Sequence, residues 1–190
     1  MKSKEYIKII LTGNANVGKT TLYNCLTRSF EHIGNWHGVT VSAVEKRMLY
    51  KGSELVIEDL PGIYSLTPYT GEERIARDYI LKQAPDGIIN IVDATNIERN
   101  LYLTLQILEL GIPVVIALNM MDELQNNGGS VRLPEIIAEL GVPVVPVCAV
   151  KNEGVDELVR QVAATVASKT PPRKIDFYES GAVHRCIHGI

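Results

Sequence analysis

Gly13-Asn14-Ala15-Asn16-Val17-Gly18-Lys19-Thr20-Thr21 is the stretch on which the fold of this 190-residue chain turns. Gly13, Gly18, Lys19 and Thr20 satisfy G-x-x-x-x-G-K-[ST], the P-loop pattern, and the flanks supply its strand, loop and helix context. Such a loop turns successive backbone N–H groups, from Asn14, Ala15 and Asn16 through Val17 to Thr21, toward an anion at the start of the next helix. Lys19 is placed to reach β- and γ-phosphates, and the Thr20 hydroxyl to ligate magnesium. The bland alternative is a glycine-rich turn between a strand and a helix. Residue types, spacing and flanks agree against it.

Outward from the loop, strand and helix patterns alternate. Residues 6–12 read as a buried strand and 19–28 as a helix, with Leu22, Cys25 and Leu26 at helical spacing, so Cys25 is expected in the core. Residues 30–38 are aperiodic and glycine-containing, a loop carrying Gly34 and Trp36. Residues 39–50 and 55–59 form a hairpin around Lys51-Gly52-Ser53. Then come a helix at 72–83, a strand at 87–92, a helix at 97–110, a strand at 112–119, a helix at 134–140, a strand at 143–148 and a helix at 153–167. The alternation predicts an α/β fold. Its sheet has six strands, mostly parallel with one antiparallel edge strand, and helices on both faces, with ligands at the carboxyl ends of the strands. Pro171 and Pro172 cannot continue the last helix, so 1–169 is one domain and 170–190 a linker.

Composition bounds the function. Lys and Arg are scattered and the net charge is −3, which lacks the footprint of a nucleic-acid binder. Cys25, Cys148 and Cys186 are odd in number and far apart, arguing for a reducing compartment over a disulfide framework. Apolar runs such as 112–118 are far shorter than a membrane span, and 1–5 is polar where a signal core would be apolar.

The other strand ends say which nucleotide fits. Asp59-Leu60-Pro61-Gly62 delivers a carboxylate toward a magnesium shell, and Gly62 lets a backbone N–H approach a γ-phosphate; an acidic residue before a Pro-Gly turn is the plain alternative. Asn119-Met120-Met121-Asp122 matches the guanine-reading pattern N-x-x-D. The Asp122 carboxylate accepts from guanine N1–H and the 2-amino group, whereas adenine would leave it unpaired. Met120 stands where most such proteins have lysine; it keeps an apolar stem and loses the charge. Cys148-Ala149-Val150 falls where a fifth motif would set a backbone N–H on the guanine oxygen, or is simply a strand end with Cys148 packed. Thr40 can ligate magnesium and hold the γ-phosphate in a state-dependent loop, or merely favour a strand. Together these motifs make the expected fold a P-loop NTPase of the Ras-like G-domain type.

These residues resemble one family closely, the amino-terminal guanine-nucleotide domain of the FeoB ferrous iron transporters. The resemblance runs through GNANVGKTTLYN, IGNWHGVTV, DLPGIYSL, VDATNIERNLYLTLQILELGIPVVIALNMMDE and EGVDEL, about the first 168 residues. It implies a GTP-binding and GTP-hydrolysing regulatory domain on the cytoplasmic side of the cell membrane. Its partners would be GTP and GDP, the transmembrane part of the same transporter and small Feo accessory proteins, with no nucleic acid and an oligomeric state left open. The 170–190 tail would begin a truncated helical domain.

The resemblance also implies hydrolysis without the usual side chain. Ile63 stands where Ras-like proteins orient water with glutamine, and it cannot hydrogen-bond. Asn16 would donate an amide oxygen to a potassium ion against the phosphates, with backbone carbonyls of Gly34 and Trp36 as further ligands; otherwise it is a turn residue. Asn16, Lys19 and Thr40 are thus the expected catalytic residues, with Mg2+ held by Thr20, Thr40 and Asp59. His37 replaces the family proline, bearing on the rigidity of that loop. His184 and His188, four apart with Cys186 between them, could share a helix face and bind a metal, for which two ligands without a third are weak evidence. Glu72 and Glu73 read first as helix-starting acids. Two other readings stay open: a soluble GTPase of ribosome or RNA maturation, and a nucleotide-switched binding module with incidental hydrolysis.

Overall fold

The apolar runs become strands buried on both faces. In β1 (Tyr6–Gly13), Ile9 and Leu11 point into one core and Ile10 into the other, which is why the run is continuous rather than alternating. The computed structural model describes residues 6–27, 44–67 and 71–172. Among them the elements follow in the order β1, α1 (Lys19–Leu26), β2 (Val44–Tyr50), β3 (Ser53–Asp59), α2 (Gly71–Gln83), β4 (Gly87–Asp93), α3 (Ile97–Glu109), β5 (Val114–Asn119), α4 (Met121–Asn126), α5 (Leu133–Leu140), β6 (Val144–Pro146), a 3-10 turn (Ala149–Lys151) and α6 (Val155–Ser168).

The six-stranded sheet has the order β2-β3-β1-β4-β5-β6. Only the β2–β3 pair is antiparallel; the other pairs are parallel, so β1, β3, β4 and β5 end at one edge. The expected architecture is the observed one. Its crevice lies where the strand order reverses around β1, the position at which open α/β sheets hold ligands. At the two lateral edges, β2 carries Glu45, Lys46 and Arg47, and β6 is three residues long and ends at Pro146.

One face of the sheet packs α1 and α6 through Leu22, Leu26, Leu158 and Val162. The other packs α2 and α3 through Ala76, Ile80, Leu103 and Ile107. Truncating a fully buried side chain such as Ile80 to alanine costs about 2–5 kcal/mol. A polar brace adds to α2: Glu58 accepts from the Tyr79 hydroxyl at 2.6 Å and pairs with the Lys8 ammonium at 2.9 Å, and Lys8 donates to Gln83 at 2.8 Å. Burial, with Glu58 beside it, drives the Tyr79 phenol above its ordinary range.

Several boundaries differ from expectation for local reasons. The first helix runs to Leu26, where Thr27 leaves helical geometry at φ −114°, ψ 17° while its N–H and hydroxyl still bond the Tyr23 carbonyl; residue 28 lies outside the described residues. The strand expected over 143–148 is confined to Val144–Pro146, although the Val147 N–H still bonds the Leu118 carbonyl at 2.8 Å just beyond it. The last helix starts at Val155, two residues later than expected, after Gly154 takes φ 77°. Helix α4 was not expected; it begins after Met120 adopts φ 63°, a left-handed turn invisible to periodicity. Cys25 is half-buried at the margin of the core and donates its thiol to the Ala149 carbonyl at 3.1 Å.

Candidate functional site

Gly18 sits at φ 81° before α1, and a Cβ there would collide with the Asn119 side-chain nitrogen, so position 18 takes only glycine. That collision marks the central joint of the site. The buried Asn119 side chain donates to the Val17 carbonyl at 2.9 Å and accepts from the Ala149 N–H at 3.0 Å. One amide thus ties the loop after β1 to the end of β5 and to the turn after β6.

On the loop itself, Asn14 is buried and donates to the Arg99 carbonyl at 3.1 Å, fastening the loop to the first turn of α3. Val17 is buried in the core, while Ala15 is partly and Asn16, Thr20 and Thr21 are largely exposed. Asn16 adopts φ 67°, a backbone reason for asparagine that stands whether or not its amide holds an ion. Helix α1 opens with Leu22 N–H bonded to the Gly18 carbonyl at 2.9 Å, leaving its first N–H groups at the loop.

Gly62 approaches the same loop from the β3 side. A Cβ on it would stand 3.0 Å from the Ala15 Cα, and the next residue's N–H bonds the Gly13 carbonyl at 3.2 Å. Lys19 reaches across to Asp59, Nζ to Oδ1 2.5 Å, so the loop's cation and the strand-end carboxylate are partners. Burial raises the Asp59 carboxyl above its ordinary value, and Lys19 opposes the rise through its charge and hydrogen bond. Ile63 is 2% exposed and packed in the α2–α3 core, so its side chain is structural.

At the other end of the crevice, Asp122 lies in the first turn of α4, with one oxygen, Oδ1, buried and without a hydrogen-bond partner among the described residues. Its Oδ2 lies 3.3 Å from the Lys151 ammonium. The Cys148 thiol beside it, together with Lys151, holds the Asp122 carboxyl below the ordinary carboxylate range. Burial keeps the Cys148 thiol protonated, raising its pKa. Met120 lies beside Gly18, its terminal methyl 3.9 Å from where a Cβ would stand. Ala149 is buried and Val150 exposed.

The structure therefore brings Gly13, Asn14, Ala15, Asn16, Val17, Gly18, Lys19, Thr20, Thr21, Asp59 and Gly62 to one end of the crevice. Asn119, Met120, Asp122, Cys148, Ala149 and Val150 line the other. Thr40, Gly34, Trp36, His37, His184, Cys186 and His188 lie outside the described residues. The sequence reading missed three contributors: Arg99, Lys151, and Gln106. Gln106 accepts from the Leu66 N–H at 2.6 Å and the Ser65 hydroxyl at 3.1 Å and donates to Thr67 at 3.0 Å. It secures the segment after Gly62 to α3. Lys151 alone had a signal, a lysine one place beyond the fifth motif.

Among the described residues no helix is long and apolar enough to cross a membrane. The family described as Ferrous iron transport protein B matches residues 7–162. The Fe(2+) transporter FeoB of Escherichia coli (strain K12) is 46% identical over 156 residues, which cover 80% of this chain and 20% of that protein. The FeoB G-domain from Methanococcus jannaschii is similar with a TM-score of 0.76 at 41% identity, covering 86% of this chain and 99% of that one. NFeoB from S. thermophilus, solved bound to mGMPPNP, is similar with a TM-score of 0.72 at 52% identity, covering 84% and 61%. The chain spans about a fifth of the length of the curated relatives it matches.

Proposed function

This chain belongs to the ferrous iron transport protein B family, and we propose that it binds GTP and hydrolyses it slowly as the regulatory G domain of a ferrous iron transport protein. The observation that carries the reading is the single edge at which the Lys19–Asp59 pair and the Asp122 carboxylate are both presented, joined by the Asn119 amide. A phosphate cradle at one end and an acceptor for guanine donors at the other fit one guanine nucleotide. The relatives solved with guanine nucleotides support it. The scattered charge gives no support to an RNA-maturation role.

In this proposal the backbone N–H groups of the loop and Lys19 bind the β- and γ-phosphates, and Gly62 brings its N–H to the γ-phosphate. Lys19 must then exchange Asp59 for phosphate. The Thr20 hydroxyl and the Asp59 carboxylate are hard oxygen donors of the kind magnesium takes, and with Thr40 they would hold it. Held there, magnesium would supply charge neutralisation for the β- and γ-phosphates. Asn16, exposed beside the phosphates, would turn its amide oxygen to a potassium ion together with Gly34 and Trp36. Such a cation supplies the charge that an arginine finger supplies elsewhere. Because Ile63 is packed in the core, water has to be oriented by the backbone or by the switch loop rather than by this side chain.

Residues 1–169 would be the G domain and 170–190 the link to a helical domain, on the cytoplasmic side of the membrane, coupled to a transmembrane part of the same protein and to small accessory proteins. The test is GTP turnover in matched potassium and sodium salts with ATP as competitor. Faster turnover in potassium, a difference erased by Asn16→Ala, is expected. Equal rates in both salts sink the cation role, and equal competition by ATP sinks the guanine reading.

A further inference from the structure

The base-reading carboxylate has a partner that no motif assigns. Most guanine-nucleotide sites carry a lysine between the asparagine and aspartate of N-x-x-D, and here that interval is Met120-Met121. Lys151 is the last residue of the turn after β6, its N–H bonded to the Cys148 carbonyl at 3.1 Å. That turn is itself fastened on both sides. Cys148 and Glu153 exchange backbone hydrogen bonds at 3.0 and 3.1 Å, and Ala149 N–H is held by Asn119 at 3.0 Å. Only the lysine side chain remains to be ordered, and its ammonium stands 3.3 Å from Asp122 Oδ2. The other oxygen, Oδ1, is buried and unspent.

We propose that Lys151 is a positioning residue for the guanine base, supplying from the turn after β6 the cation that position 120 lacks and fixing the Asp122 carboxylate in place for the base donors. The inference rests on the guanine reading above. A carboxylate offers about four lone-pair sites, so Oδ2 accepts from Lys151 and from the base together. A carboxylate already fixed loses less rotational freedom when the base arrives, which favours binding. Lys151 is 53% exposed at its side chain, so the effect is modest, about three- to fivefold in affinity.

The experiment is calorimetric titration of the full chain with GDP, IDP and ADP. If the unsubstituted protein binds GDP and ADP equally, the guanine reading itself fails. If it prefers GDP, Lys151→Met is expected to weaken GDP about three- to fivefold and to narrow the preference for GDP over IDP, which lacks the 2-amino donor. Lys151→Arg is expected to stay near the original affinity, and Met120→Lys added to Lys151→Met to recover most of the loss. The unfolding midpoint without nucleotide should not move. Unchanged GDP affinity in Lys151→Met overturns the proposal. So does tighter binding, which would make Lys151 a competitor for the carboxylate, or an equal loss for GDP, IDP and ADP. No recovery on adding Met120→Lys overturns the claim that Lys151 stands in for position 120.

Discussion

The two ends of the crevice handle charge in opposite ways. At the phosphate end the cation and the anion are spent on each other, with Lys19 and Asp59 in direct contact at 2.5 Å. At the base end Asp122 is anchored through one oxygen and keeps the other unspent. Burial works against the ionised Asp59 carboxyl, whereas the Cys148 thiol and Lys151 favour the ionised Asp122 carboxyl. One end has to exchange a cation for phosphate before it can hold a nucleotide; the other has to uncover a buried carboxylate oxygen for the base donors.

Removing the cation of the phosphate end should break this contrast most severely. Lys19→Ala is expected to lower GTP affinity and turnover by at least about a hundredfold, because it removes a preorganised charge and strands Asp59. Fluorescent-nucleotide titration measures it, and a loss under tenfold would mean that the Lys19–Asp59 pair is structural only. Next in size, Asp122→Asn should weaken GDP by about ten- to a hundredfold through lost charge-assisted hydrogen bonds. Binding of a xanthine nucleotide should appear in exchange, since xanthine presents an acceptor where guanine presents its amino donor. Retained GDP preference would sever Asp122 from base recognition.

The smallest effect is the order of two acid titrations, followed by carboxyl NMR of the nucleotide-free protein. Asp59 should titrate above the ordinary carboxylate value of 3.8 and Asp122 below it. The signs differ accordingly. The raised Asp59 contributes stability that is full below 3.8 and lost as pH rises through its folded pKa; the lowered Asp122 contributes stability present above 3.8 and lost as pH falls through its folded pKa. Inverted order would erase the contrast between the two ends.

Local chemistry made much of this legible in the sequence. The phosphate loop, Asp59-Leu60-Pro61-Gly62 and Asn119-Met120-Met121-Asp122 are short motifs whose residues act where they stand, so spacing alone places them. The sheet was legible because its parallel strands carry apolar runs buried on both faces, at 9–11 in β1, 55–57 in β3 and 114–118 in β5. What stayed hidden depends on partners far along the chain. Gln106 meets Leu66 across 40 positions, Asn14 meets Arg99 across 85, and Asn119 meets Val17 across 102. Single-residue turns were equally silent: Met120 at φ 63° starts a six-residue helix too short to show a period.

The two outer strands of the sheet limit how this domain can join anything else. At β6 the proline ends a three-residue strand, and at β2 Glu45, Lys46 and Arg47 line the margin. Neither margin welcomes a strand from another chain, the common route to runaway self-association. Copies of this domain would consequently meet through helices, loops and side chains rather than by extending the sheet.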